Sequence, residues 1–223
     1  MIAKKFVVGC LLGTAASTSF SMALAFSNFA ENDDGWLTKN SVMDFEWLSS
    51  GGSPNGFIQA KDQSGEDLWF FSAPAKFLGN KAAAYGGTLS FDLRVISFSA
   101  PLQGSYADVQ LIAVDGTQLS YAGQFNPGTN WGSFSVGLLS DGLWTVGSTT
   151  GPAVTEEQMV SVLSNLNGLR IRGDFRQAGE ATGLDSVLLI AAPVPEPASA
   201  ALLLAGLAGC IAWERRRGRN LTS

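Results

Sequence analysis

The chain has 223 residues, of which 14 are basic and 19 acidic, with a formal net charge of −5, two cysteines and no histidine. Without histidine the commonest general base, the usual partner of a nucleophilic serine or cysteine, and the commonest zinc ligand are all missing, so Ser-His-Asp, Cys-His and zinc-protease arrangements are excluded. The 168 residues from Phe26 to Pro193 carry eight bases against 17 acids, the reverse of the basic footprint that displaces counterions from nucleic acid.

The N-terminus, MIAKKFVVGCLLGTAASTSFSMALAFS, has the order of an export signal: Lys4 and Lys5, a mostly apolar run from Phe6 to Ala16, then the small-x-small step Ala23-Leu24-Ala25. Residues 1–25 are therefore expected to be a signal peptide removed by signal peptidase, with Phe26 as the mature start. Both cysteines, Cys10 and Cys210, fall in the apolar ends, so the segment 26–193 holds no disulfide and must be stabilised by packing. Its length suits one sandwich or barrel.

Within it the pattern is that of strands. In Thr88–Ser99 the residues Leu89, Phe91, Leu93 and Val95 alternate with Ser90, Asp92 and Arg94, the period of a half-buried strand. ADVQLIAVDGTQLSYAG predicts a hairpin turning at Asp115-Gly116. WGSFSVGL and LRIRGDF alternate again; in the second, Leu169, Ile171 and Phe175 are expected inside and Arg170, Arg172 and Asp174 outside. GLDSVLLIAA, residues 183–192, predicts a more buried last strand. One helix interrupts the series: Thr155 and Gln158 form a capping box, Glu156 and Glu157 suit the positive end of the helix dipole, and Met159, Val162, Leu163 and Leu166 make an apolar stripe that Gly168 ends. Short strands without a parallel strand-helix-strand rhythm predict an all-β, antiparallel sandwich with one short helix.

The last stretch is VPEPASAALLLAGLAGCIAWERRRGRN. Ala198 to Trp213 gives 16 almost wholly apolar residues, a helix of about 24 Å against a hydrocarbon core of about 30 Å. Trp213 stands where an interfacial aromatic belongs, and Arg215, Arg216, Arg217 and Arg219 follow. The positive-inside rule keeps those arginines cytoplasmic and puts the middle segment outside, as the signal peptide also requires. Pro195, Glu196 and Pro197 form an extended strip before the transmembrane helix. This order of motif, helix and arginine cluster resembles the PEP-CTERM sorting signal and assigns residues 194–223 to a sorting tail. The resemblance implies that an exosortase at the inner membrane recognises Pro195-Glu196-Pro197 and cuts nearby. It further implies a surface, biofilm or exopolysaccharide-associated protein of a Gram-negative bacterium.

A second resemblance covers Trp36 to Ile190. The runs WFFSAPAKFLG, AYGGTLSFDL and LRIRG are similar to the laminin B domain, also called laminin domain IV. That resemblance implies a jelly-roll β-sandwich like those of carbohydrate-binding modules, and a building piece of matrix proteins rather than an enzyme.

Three kinds of site are legible. ENDDGW places Glu31, Asp33 and Asp34 near the start, and Asp185 lies in the last strand; calcium is the cation that such hard oxygens suit. Sugar rings stack on aromatic faces flanked by polar groups, and Trp131, after Pro127-Gly128, and Trp144, after Asp141-Gly142, stand next to turns as candidates for glycan contact, although most aromatic side chains in a domain of this size fill the core. No pair of carboxylates stands out by spacing as a glycosidase couple. The expectation is an exported, non-enzymatic surface or matrix protein that engages extracellular polysaccharide. A structural or protein-adhesion module without a glycan ligand is the alternative, and a carbohydrate-active enzyme the least favoured reading.

Overall fold

The alternating apolar patterns become strands in a computed structural model that describes residues 21–40, 42–62, 68–97, 104, 106–176, 179–193, and 205, 206 and 208. Among the described residues the order is β1 (Ala23–Ser27), β2 (Leu37–Lys39), β3 (Val42–Leu48), β4 (Phe57–Asp62), β5 (Phe70–Ser72), β6 (Thr88–Ser97), β7 (Val109–Ala113), β8 (Gln118–Tyr121), β9 (Gly132–Gly137), β10 (Trp144–Val146), α1 (Glu156–Ser164), β11 (Leu166–Arg172) and β12 (Ala181–Ile190). One sheet runs β3-β4-β12-β6-β9, with β1 also paired to β12; the other runs β10-β8-β7-β11-β5-β2. All these strand pairs are antiparallel. The expected antiparallel sandwich is thus the fold of the described residues between 21 and 193.

The sandwich closes because each sheet is apolar on one face. On β6, Leu89, Phe91, Leu93 and Val95 are buried while Ser90, Asp92 and Arg94 look the other way. On β7 and β8 the residues Val109, Leu111, Ala113 and Leu119 close the same core from the second sheet, and Asp115-Gly116 makes the turn with Gly116 at φ 86°. Trp36, Trp69, Trp144, Phe71, Phe77, Phe91 and Phe175 fill the space between the sheets. Their rings meet at angles, Trp36 on Phe77 at 5.4 Å and Trp69 on Phe71 at 5.1 Å, the geometry that ring quadrupoles favour. All three rings of Trp69-Phe70-Phe71 are buried. Gly173 makes room for one of them: a Cβ there would lie 2.0 Å from the Trp69 ring.

The last strand is shared between neighbours. β12 is kinked between Asp185 and Leu188, with Ser186 at φ 52°. Before the kink β12 pairs with β4, and after it with β1. β1 contains the Ala23-Leu24-Ala25 step; a cut after Ala25 leaves Phe26 and Ser27 of this strand opposite Leu188 and Val187.

The helix carries its expected capping box, the Thr155 amide donating to Gln158 Oε1 at 3.0 Å and the Gln158 amide to Thr155 Oγ1 at 3.3 Å. Met159, Val162 and Leu163 pack on β7 and on the 3₁₀ turn Ala82–Ala84. The helix is shorter than its apolar stripe suggests. Leu166 is the first residue of β11, paired with Ala113, and Gly168 lies opposite Ile112 instead of capping the helix. Pairing with β7 satisfies the backbone of residues 166–171, and that tertiary gain overrides the local helical pattern.

Candidate functional site

The outer face of the first sheet is polar, with one aromatic cluster upon it. β4 turns Phe57, Gln59 and Lys61 to this side, β6 turns Ser90, Asp92 and Arg94, and β12 presents Gly183. Trp131, the residue before β9, lies across Gly183, where an added Cβ would come within 3.0 Å of the indole. Its ring meets Phe57 edge-on at 5.3 Å, and the Arg94 guanidinium stands 4.7 Å from the centre of each ring. The indole N–H donates to Gly51 O at 2.8 Å. The side chain is therefore fixed by a hydrogen bond and two ring contacts, while remaining partly exposed. Around it Gln59 Nε2 donates to Glu46 Oε1 at 2.5 Å, and Ser133 Oγ donates to Asp92 Oδ1 at 2.6 Å. A flat ring, a guanidinium, an amide, carboxylates and hydroxyls on one rigid sheet are the groups that bind the faces and edges of sugar rings.

Trp144 is different. Expected beside a turn, it is 0% exposed; its indole N–H donates to Gly137 O at 2.8 Å and its ring lies 5.2 Å from Tyr121. Both the hydrogen bond and the stacking are satisfied only inside, so Trp144 is a core residue rather than a glycan contact.

The three aspartates considered for calcium sit in separate networks. Asp33 Oδ1 accepts from the Gly35 amide at 3.0 Å in a local turn. Asp34 Oδ2 accepts from Ser27 Oγ at 2.7 Å and is ion-paired with Lys76, whose ammonium stands beside that carboxylate. Asp185, fully buried at the kink of β12, accepts from the Ser53 amide at 2.5 Å and the Ser186 amide at 2.6 Å, and Ser186 Oγ donates to Ser53 O at 2.8 Å. Burial above all raises its pKa to about 6, against the opposing effect of those amides. The Asp185 carboxylate thus fastens the loop that also supplies Gly51 to Trp131. Among the described residues no three acidic side chains form a group able to hold a metal ion. The residues of the sorting motif, Pro195, Glu196, Pro197, Arg215, Arg216 and Arg217, lie outside the described residues, and among those described no helix is long and apolar enough to cross a membrane.

The alternation in LRIRGDF misleads in one respect. Arg170 is on the outer side, but Arg172 is only 3% exposed and Asp174 is fully buried. The Arg172 guanidinium lies 3.6 Å from Asp108, 4.8 Å from the centre of the Phe175 ring and 5.3 Å from that of Tyr106, and its Nε donates to Asp174 O. Asp62, Asp174 and Glu180 are buried in the same region. Burial, then the neighbouring Asp62, pushes Asp174 up to about 6; burial, reinforced by Asp174, pushes Glu180 up to about 8. Burial and the nearby Asp174 favour the protonated form of Glu180, while the Phe175 amide that donates to its Oε1 opposes it. Period-two alternation could not reveal this cluster, because the chain leaves the strand at Gly173. The signal in the sequence was density of charge: Arg170, Arg172, Asp174, Arg176 and Glu180 lie within eleven residues.

Residues 70–203 match the family model for the laminin B domain, domain IV. The chain belongs to the laminin B family. Residues 193–217 match the PEP-CTERM protein-sorting motif. Laminin subunit gamma-2 of Equus caballus is 28% identical over 195 residues, which cover 84% of this chain and 15% of the relative, so the chain spans a small part of the length of that laminin. Among solved structures, a family 11 carbohydrate-binding module from Clostridium thermocellum, in complex with a β-1,3-1,4-mixed-linked tetrasaccharide, superposes with a TM-score of 0.51 at 12% identity. That match covers 79% of this chain and 98% of the module. An exo-β-agarase aligns with a TM-score of 0.50 at 11% identity, covering 79% of this chain and 26% of the agarase. At such identities these structures share the fold of this laminin B sandwich. The family match begins at β5, yet β1 to β4 are integral to the same sheets.

Proposed function

We propose that this laminin B protein is exported, processed at its sorting tail by an exosortase, and held at the cell surface or in the extracellular matrix, where the sandwich engages extracellular polysaccharide without catalysis. The observation that carries the binding reading is the Trp131 platform: an indole fixed over Gly183, flanked by Phe57 and Arg94 and bordered by hydrogen-bonding groups. A preorganised ring costs little entropy when a sugar stacks on it. The sandwich architecture of the family 11 module, which carries a tetrasaccharide, lends support at the level of fold.

The non-catalytic reading rests on where the perturbed carboxyls lie. A raised acid beside a second carboxylate is the pattern of a glycosidase couple, but Glu180 and Asp174 are fully buried, where no glycosidic bond reaches them.

The test is affinity electrophoresis of the mature protein in gels containing the producer's own exopolysaccharide. Retardation that Trp131→Ala weakens roughly tenfold, as loss of an aromatic anchor does, is the expected result, with no release of reducing sugar. Equal migration in the presence and absence of polysaccharide overturns the reading in favour of a protein-adhesion module. Intact mass of the mature protein tests the processing: the proposal requires loss of residues 1–25 and a cut near Pro195-Glu196-Pro197.

A further inference from the structure

The second sheet has a face of its own. Beside β7, β8 and the loop after β10 lies a groove of about 200 Å³, lined among others by Tyr106, Gln110, Gln118, Ser120, Ser148 and Thr149. No acidic or basic residue is among its lining residues, although the segment from Phe26 to Pro193 carries 17 acids and eight bases. Against the roughly 300–1,000 Å³ of pockets for drug-sized ligands this groove is small, and its size suits a single sugar ring.

Its polar groups are set in advance. Gln118 Nε2 donates to Gly147 O at 2.8 Å and to Ser120 Oγ at 3.2 Å, which orients its carbonyl oxygen as an acceptor. Gln110 accepts from Arg170 Nη1 at 3.3 Å through Oε1, leaving its amide hydrogens as donors. Tyr106 is 40% exposed, and its ring rests on the buried guanidinium of Arg172, which Asp108 holds in turn. The groove therefore offers an exposed aromatic ring, an amide acceptor, an amide donor and hydroxyls. Hydroxyl groups of a sugar match all of these, whereas a carboxylate or sulfate would lose hydration without gaining an ion pair from the lining.

We infer that this groove is a second saccharide-binding site, selective for uncharged, hydroxyl-rich glycan, with Tyr106 as the stacking ring and Gln110 and Gln118 as the hydrogen-bonding pair. The inference rests on the reading that the domain engages polysaccharide and adds a site on the opposite sheet from Trp131. A domain with two such faces links two glycan chains without any partner protein.

The experiment uses the mature protein in gels containing dextran or hydroxyethylcellulose as neutral probes and polygalacturonate as an acidic one, in parallel with the producer's exopolysaccharide. Retardation by a neutral probe that drops at least tenfold in Tyr106→Ala and several-fold in Gln118→Ala, but persists in Trp131→Ala, is the expected outcome. Far-ultraviolet circular dichroism and melting temperature of each variant separate lost binding from lost folding. Three results overturn the inference while leaving polysaccharide engagement standing: no neutral probe retards the protein, Tyr106→Ala binds as the parent does, or Trp131→Ala alone abolishes all binding. Failure of every polysaccharide, the producer's included, sinks both readings together.

Discussion

The aromatic centre of the sandwich and the cluster around Arg172 are equally dry, yet they are held by opposite balances. In the centre, Trp36, Phe71, Phe77, Phe91 and Leu111 each exchange water for neighbouring side chains, and burying such a side chain stabilises the fold by about 1.5–3 kcal/mol. Around Arg172, three carboxyls (Asp108, Asp174 and Glu180) act on one deeply buried guanidinium. Desolvation there opposes folding, and the ion pairs and a retained proton only offset it. The contrast teaches that equal burial says nothing about the sign of an energy. It also separates roles: the centre sets stability, while the cluster fixes Asp174, Phe175 and Tyr106.

The contrast breaks most visibly if the cation is removed. Arg172→Met leaves Asp108 buried without its counter-charge and is expected to cost about 3–5 kcal/mol, read as the fall in the midpoint of urea unfolding. Adding Asp108→Asn is expected to recover part of that loss; a double variant less stable than Arg172→Met would contradict the electrostatic account. Next in size, Leu111→Ala in the centre opens a cavity and is expected to cost about 3 kcal/mol, with no change in how stability depends on pH.

That pH dependence is the third measurement. The folded-state pKa of Glu180 is raised from 4.5 to about 8, and that of Asp174 from 3.8 to about 6. Both groups bind a proton more tightly in the folded state, so the unfolded chain holds fewer protons across these windows and stability falls as pH rises. Melting temperature is expected to decline from about pH 4 to about pH 8 as the Asp174–Glu180 pair, and with it Asp185, loses its protons. Glu180→Gln keeps an acceptor for the Phe175 amide and is expected to flatten that decline, most of all toward its upper end; an unchanged slope would contradict a raised pKa at Glu180. The smallest effect belongs to neither region and calibrates the scale. Thr155→Ala removes the helix cap and is expected to lower stability by about 1 kcal/mol.

Much of the fold was legible because it depends on local periodicity. The alternation of β6, the hairpin at Asp115-Gly116 and the capping box of α1 all appear where the residues placed them. The misses share one cause. Leu166 and Gly168 look helical by spacing but pair with β7, and Arg172 and Asp174 look solvent-facing by alternation but turn inward where Gly173 yields to the Trp69 ring. Of the two turn-adjacent tryptophans, Trp131 lies on the surface over a glycine and Trp144 in the core. Nothing in the flanking residues distinguishes them. The difference lies two strands away in the sheet, where Gly183 of β12 leaves a space for an indole.

The amino-acid sequence by itself determined the absence of histidine chemistry, the acidic cysteine-free segment, the strand and helix periods, and the motifs that mark a laminin B domain and a sorting tail, since each depends only on residue type and spacing along the chain. Tertiary structure alone decided which charges are buried, which tryptophan faces outward, and which amides and rings meet in a neutral groove. Those outcomes depend on groups brought together from distant positions, such as Asp108 with Arg172 or Gly51 with Trp131, and burial and pairing energies exist only once the two sheets have closed.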